Sequence, residues 1–270
     1  MALRGRAAPG AAILTVAGAV VLGLVLGGSG RDPTPLTHAA SSVRHPTGFR
    51  FSIRGDVTGL PAAGASLAVP PGTVLVATAS VPSLPVYSTP RALGPSQAFA
   101  NPNPLGAPLT LLVKAVSGAW LQVYLPERPN ESTGWVSRGD VTLATDDEHV
   151  VVRLNPPSVT LYREGAQVFE ATAAVGAPDA PTPTGHFFVT EVLKLTDPGD
   201  AYGPYALGLS GFSDTYYSFE GGPGQIAIHG TDQPWVIGGY ASHGCVRLTN
   251  PQITTLAAQV PAGTPVDIEA

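Results

Sequence analysis

The sequence predicts a mostly β protein with a single short helix near its C-terminus. Three observations carry that reading. First, 32 Gly and 28 Pro fill more than a fifth of the 270 residues, which favours short strands and tight turns over long helices. Second, short apolar runs cut by turn residues recur from about residue 74 to the end. Third, one stretch alone, beginning at Asn250-Pro251, carries the start and stop signals of a helix. Hydrophobic residues make up 44% of the chain, enough for one or two sizeable cores. Charged residues are only 12%, the formal net charge is −5 and no Lys/Arg run occurs, which argues against nucleic acid as a partner.

Residues 1–30 read as an export segment. Arg4 and Arg6 flank an uncharged, Ala/Val/Leu/Gly-rich run over 11–28, which suits either a cleaved signal peptide or an N-terminal membrane anchor. In the second case membrane attachment runs through this segment, and in both the arginines leave the rest of the chain outside the cytoplasm. Residues 31–71 are Pro, Gly, Ser, Thr and Ala with few bulky apolar side chains, the composition of a flexible linker.

Strand signals then follow closely at 74–77, 84–87, 109–116, 120–125 and 135–136, marking a first β domain over 72–145. Trp120-Leu121-Gln122-Val123-Tyr124-Leu125 and Gly134-Trp135-Val136-Ser137 resemble the last strands of bacterial SH3-like barrels, which place one tryptophan in the core. Asp146-Asp147-Glu148 forms an acidic break, and a second β domain runs over 149–270. Its strands are expected at 150–154, 158–163, 167–175, 186–195, 225–229 and 264–268. Asn250 suits the N-cap and Pro251 the first turn, so the helix is expected over 251–259, ended by Pro261-Ala262-Gly263.

The single cysteine, Cys245, excludes an intrachain disulfide and a multi-cysteine metal site. It lies in Ser242-His243-Gly244-Cys245-Val246-Arg247-Leu248-Thr249-Asn250, just before the helix. Were this segment extended, His243, Cys245 and Arg247 would share one face, setting a base and a cation beside a thiol. Arg247 could equally grip a carboxylate. Gly244 lets a reactant approach the sulfur, and the backbone N–H groups of Gly244 and Cys245 are candidates for stabilising an oxyanion. His229, in His229-Gly230-Thr231 at a strand end, precedes the cysteine by 16 residues and is the second candidate base. Ser242 and Thr231 are candidates for orienting a histidine. Zinc held by His229, His243 and Cys245 is the competing chemistry, but His-Gly-Cys is cramped spacing for two ligands, so neither metal nor cofactor is expected.

His229-Gly230-Thr231 followed by Ser242-His243-Gly244-Cys245-Val246-Arg247-Leu248-Thr249-Asn250 resembles the signature of the L,D-transpeptidases, the YkuD family. Thr182-Pro183-Thr184-Gly185 and the segment Ala201-Tyr202-Gly203-Pro204-Tyr205-Ala206-Leu207 add to the likeness. The resemblance implies a β-sandwich catalytic domain, a cysteine nucleophile at Cys245, roles for both histidines, and the stem peptides of bacterial peptidoglycan as substrate. It implies 3→3 cross-linking through a thioester. Water as acceptor would make the chain an L,D-carboxypeptidase, and an idle motif would leave a wall-binding scaffold acting through the SH3-like domain.

Overall fold

The computed structural model describes residues 72–219 and 221–270; the predicted export segment at 1–30 and the linker at 31–71 lie outside them. The first β segment comprises β1 (Val74–Ala79), β2 (Ser83–Val86), β3 (Gln97–Ala100), β4 (Thr110–Ser117), β5 (Trp120–Tyr124), β6 (Thr133–Ser137) and β7 (Val141–Asp146). Five of these form an antiparallel sheet in the order β6-β5-β4-β1-β7, and β2 and β3 pair as a separate hairpin. Strict alternation along β5 and β6 sends Leu121, Val123 and Val136 into the core. The same alternation turns Trp120 and Trp135 half outward, so neither tryptophan is the core residue that the SH3-like pattern predicts. Trp120 instead meets Tyr87 edge to face at 5.0 Å.

The second β segment runs through β8 (Glu148–Leu154), β9 (Pro157–Arg163), β10 (Ala166–Thr172), β11 (Val175–Gly176), β12 (Gly185–Lys194), β13 (Tyr205–Phe212), β14 (Gln225–His229), β15 (Tyr240–Ser242), β16 (Val246–Arg247), α1 (Asn250–Ala257) and β17 (Pro265–Glu269). Eight strands join in the order β10-β9-β8-β17-β12-β13-β14-β16. One buried cluster takes Val159 and Leu161 from near one end of this sheet and Val246 from the other, together with Ile253 and Leu256 of α1. A sheet whose two ends share a core has folded over on itself, which makes this a β-sandwich. The protein is thus mostly β with one α-helix among the described residues.

The helix starts one residue earlier than its sequence signals suggest. Thr249 is the N-cap, and the Gln252 side chain accepts from its backbone N–H at 3.0 Å and its hydroxyl at 2.7 Å. Asn250 is diverted to another task, described below. The acidic break is also shorter than expected, because β7 ends at Asp146 and β8 begins at Glu148. Asp146 is buried and accepts from the Thr264 hydroxyl at 2.6 Å and the Glu148 N–H at 2.9 Å.

The two sheets share more than this joint. Phe188 of β12 is fully buried in the apolar cluster of the first sheet, and Gly263 comes so near Val76 of β1 that a Cβ there would lie 2.6 Å from its Cγ1. Burying a phenylalanine is worth about 1.5–3 kcal/mol.

Candidate active site

The site is built around a parallel strand pair. β14 and β16 lie side by side with His229 opposite Arg247, and the Leu248 N–H donates to the His229 carbonyl at 2.9 Å. Parallel strands need a crossover, and residues 230–245 supply it, delivering Cys245 to the start of β16. His229, His243, Cys245, Arg247 and Ser242 line one cavity of about 130 Å³. The same cavity is lined by Tyr202, Ser213, Tyr216, Phe219 and Gln225, none of which the motif singles out as a site residue.

The segment around the cysteine is a tight turn, not the extended strand that would set His243, Cys245 and Arg247 on one face. β15 stops at Ser242 and β16 begins at Val246, with Gly244 at φ +117° between them. The Ser242 hydroxyl closes this turn, accepting from the Gly244 N–H at 3.1 Å and donating to the Cys245 carbonyl at 2.5 Å. Ser242 therefore shapes the backbone under the cysteine rather than orienting a histidine, and the Gly244 N–H is committed to that bond rather than available to an oxyanion. A Cβ on Gly244 would come within 3.0 Å of Ile226 Cδ1, in a backbone region that side chains rarely adopt.

His229 is 3% exposed. Its Nδ1 lies 2.6 Å from the Gly230 carbonyl oxygen, which can only accept, so Nδ1 carries the proton and Nε2 keeps its lone pair. Burial pushes its pKa down to about 4, and the Arg247 charge acts in the same direction against the pull of the Gly230 carbonyl. The ring is thus neutral near pH 7. Tyr202 packs over it with centroids 4.7 Å apart. His243 is exposed and sits between two rings, 4.9 Å from Phe219 and 5.6 Å from Tyr216.

Asn250 and two glycines fix the His229 turn. The Asn250 Oδ1 accepts from the Thr231 N–H at 2.9 Å, and its Nδ2 donates to the Pro198 carbonyl at 3.2 Å. A Cβ on Gly230 would lie 2.4 Å from Asn250 Oδ1 and 3.0 Å from the Gly203 Cα, so these two glycines are needed for close backbone approach. That approach carries the neighbouring Tyr202 onto His229. The Thr231 hydroxyl accepts from the Gln233 N–H at 3.0 Å, so Thr231, like Ser242, serves the local turn.

Arg247 lines the cavity with its Nε buried and without a hydrogen-bond partner. A guanidinium bordering the cavity suits an anionic ligand. A neutral imidazole, a thiol and a guanidinium around one cleft can together carry out nucleophilic attack on a carbonyl next to a carboxylate. Tyr216, Phe219 and Tyr202 complete the walls. The concentration of aromatics in a glycine-rich loop, Tyr216-Tyr217-Ser218-Phe219, is the signal that would have pointed to the first two.

Comparison with known proteins agrees with this picture. The family model of the L,D-transpeptidase catalytic domain, YkuD, matches residues 147–268. The chain is 32% identical over 154 residues to a putative L,D-transpeptidase YkuD of Bacillus licheniformis, covering 54% of this chain and 85% of that protein. It is 33% identical over 120 residues to the Bacillus subtilis protein of the same name, covering 44% of this chain and 65% of the relative. Among solved structures, a mutant of the Enterococcus faecium L,D-transpeptidase is 26% identical, with a TM-score of 0.35, over 46% of this chain and 50% of that one.

Proposed function

Because the chain belongs to the L,D-transpeptidase family, whose catalytic domain implies acyltransferase activity, we propose that it cross-links peptidoglycan stem peptides outside the cytoplasm with Cys245 as its nucleophile. The observation that carries this reading is the cavity shared by Cys245, His229, His243 and Arg247. Cys245 Sγ attacks the carbonyl of the third residue, meso-diaminopimelate, in a tetrapeptide donor. The thiol proton passes to a histidine, the tetrahedral oxyanion collapses, and terminal D-alanine leaves as the amine takes up that proton. An amine of a second stem's diaminopimelate then attacks the thioester, restoring the thiol and leaving a 3→3 link.

His229 is the base in this scheme. Its tautomer leaves Nε2 able to accept a proton, and the low pKa makes the protonated ring a strong acid toward the departing amine. His243, exposed between Tyr216 and Phe219, takes the role of a wall residue that contacts the donor peptide. Arg247, which lines the cavity, binds a substrate carboxylate through its guanidinium.

The test is intact-mass measurement on the reduced protein after incubation with a carbapenem, beside Cys245→Ala, followed by a disaccharide-tetrapeptide assay. A stoichiometric adduct on the wild type and none on the variant, with dimer formed from the tetrapeptide, is the expected result. Tripeptide without dimer would make water the acceptor. A folded wild type that gives no adduct and releases no D-alanine would end the transpeptidase reading.

A further inference from the structure

The first β segment reaches the walls of the Cys245 cavity by two separate routes. The first is the loop between β5 and β6. There Arg128 Nη1 donates to the Pro223 carbonyl at 2.7 Å, while Nη2 donates to the carbonyls of Ser213 at 2.9 Å and Tyr216 at 3.0 Å. Its guanidinium also lies over the rings of Phe212 at 4.7 Å and Tyr217 at 4.8 Å. Two residues on, Asn130 pairs with Phe212 as a strand would, donating to its carbonyl and accepting from its N–H, both at 2.9 Å. One side chain thus ties together three carbonyls spread between Ser213 and Pro223.

That segment is the part of the cavity wall that touches His243. Tyr216, whose carbonyl Arg128 holds, meets the His243 ring edge-on, and Phe219 meets it at 4.9 Å. The second route passes through the buried carboxylate of Glu191. Asn103, in the loop before β4, donates to Glu191 Oε2 at 2.8 Å, and Gln225, which lines the cavity, donates to Glu191 Oε1 at 3.2 Å. The β-rich segment ahead of the catalytic fold is therefore bonded to two walls of the cleft.

We infer that the first β segment is a working part of the acyl-transfer site, with Arg128 a positioning residue that holds the carbonyls of Ser213, Tyr216 and Pro223 so that Tyr216 and Phe219 stay against His243. This rests on the reading of the Cys245 cavity as an acyl-transfer site. Arg128 touches no reacting atom, so it acts through the shape of the donor-peptide wall. Misplacement of such a wall by about 1 Å is enough to cost up to about a hundredfold in rate.

The experiment compares wild type, Arg128→Ala, Arg128→Lys and Arg153→Ala in the full chain, by amide hydrogen exchange and by the kinetics of D-alanine release from a tetrapeptide. In Arg128→Ala, exchange over 213–223 should quicken about tenfold or more while β14 and α1 keep wild-type rates, and KM should rise about tenfold with a smaller change in kcat. Arg128→Lys, which keeps the cation over Phe212 but not the spread of donors, should fall between the two. Arg153, whose guanidinium lies 3.8 Å from Glu269, is the control and should change neither readout. Unchanged exchange over 213–223, an unchanged KM in a folded Arg128→Ala, or exchange quickened equally everywhere would overturn the inference. Should Arg128→Ala fail to fold, Asn130→Ala makes the same comparison through the Phe212 pair. A wild type that releases no D-alanine would count against the transpeptidase reading, and the exchange measurement would then decide alone whether Arg128 holds the segment.

Discussion

His229 is kept neutral chiefly by burial, with the Arg247 charge adding to it, and this sets how the site should respond to acid. The unfolded chain takes up a proton as pH falls through about 6.5, while the folded ring resists until about 4. Between those values the folded state therefore loses stability as pH drops, by about 3 kcal/mol in all. The rate of acylation by a carbapenem should likewise stay level down to about pH 5 and fall by half near 4, where an ordinary histidine base would have failed near 6.5. Arg247→Met removes the neighbouring positive charge, so the acid limb should move to higher pH; rapid-mixing mass spectrometry across about pH 3.5–8 on both proteins checks this. The sequence brought Cys245, both histidines and Arg247 under suspicion because their types and spacing carry chemistry. It did not reveal that Ser242 and Thr231 are turn-formers, because a hydroxyl's partner depends on backbone geometry that residue order does not encode.

At the scale of elements, alternation made most strands readable, and β14 falls on residues 225–229 as expected. β13 escaped because it is buried along nearly its whole length and interrupted by Gly208 and Gly211, so it shows neither alternation nor β-branched residues. The glycines have a physical reason. A Cβ on Gly208 would collide with Glu191 Oε1, and one on Gly211 would lie 2.7 Å from the Phe187 ring. Glu191 itself is a buried carboxyl whose pKa burial raises, while Gln225 and Asn103 donate to it and partly offset that cost. The amide in Glu191→Gln would turn a donor toward one of these donors, since Asn103 Oδ1 is already occupied by the Leu105 and Ala107 N–H groups. A loss of about 1–3 kcal/mol in chemical denaturation is expected, with a further fall in transpeptidation through Gln225.

At the scale of the molecule, Phe188 is a strand residue of the catalytic fold whose side chain belongs to the core of the segment before it. Phe188→Ala should cost about 3–5 kcal/mol and lower the unfolding of both β segments together. Calorimetry on the wild type should accordingly show one transition over the described residues, and two well-separated transitions would contradict this coupling. The sequence suggested an acidic break between two domains, and in the structure those acidic residues lie where β7 gives way to β8. What it could not convey is that Asp146 faces inward to Thr264, a contact spanning 118 residues. The parallel pairing of β14 with β16 has a bearing on the life of the chain before it is folded. His229 and Arg247 become neighbours only when the 230–245 crossover has closed and β16 has docked at the sheet edge. Until then Cys245 lacks the histidine and guanidinium that share its cavity, so in an incompletely folded chain the proposed chemistry is switched off by topology alone.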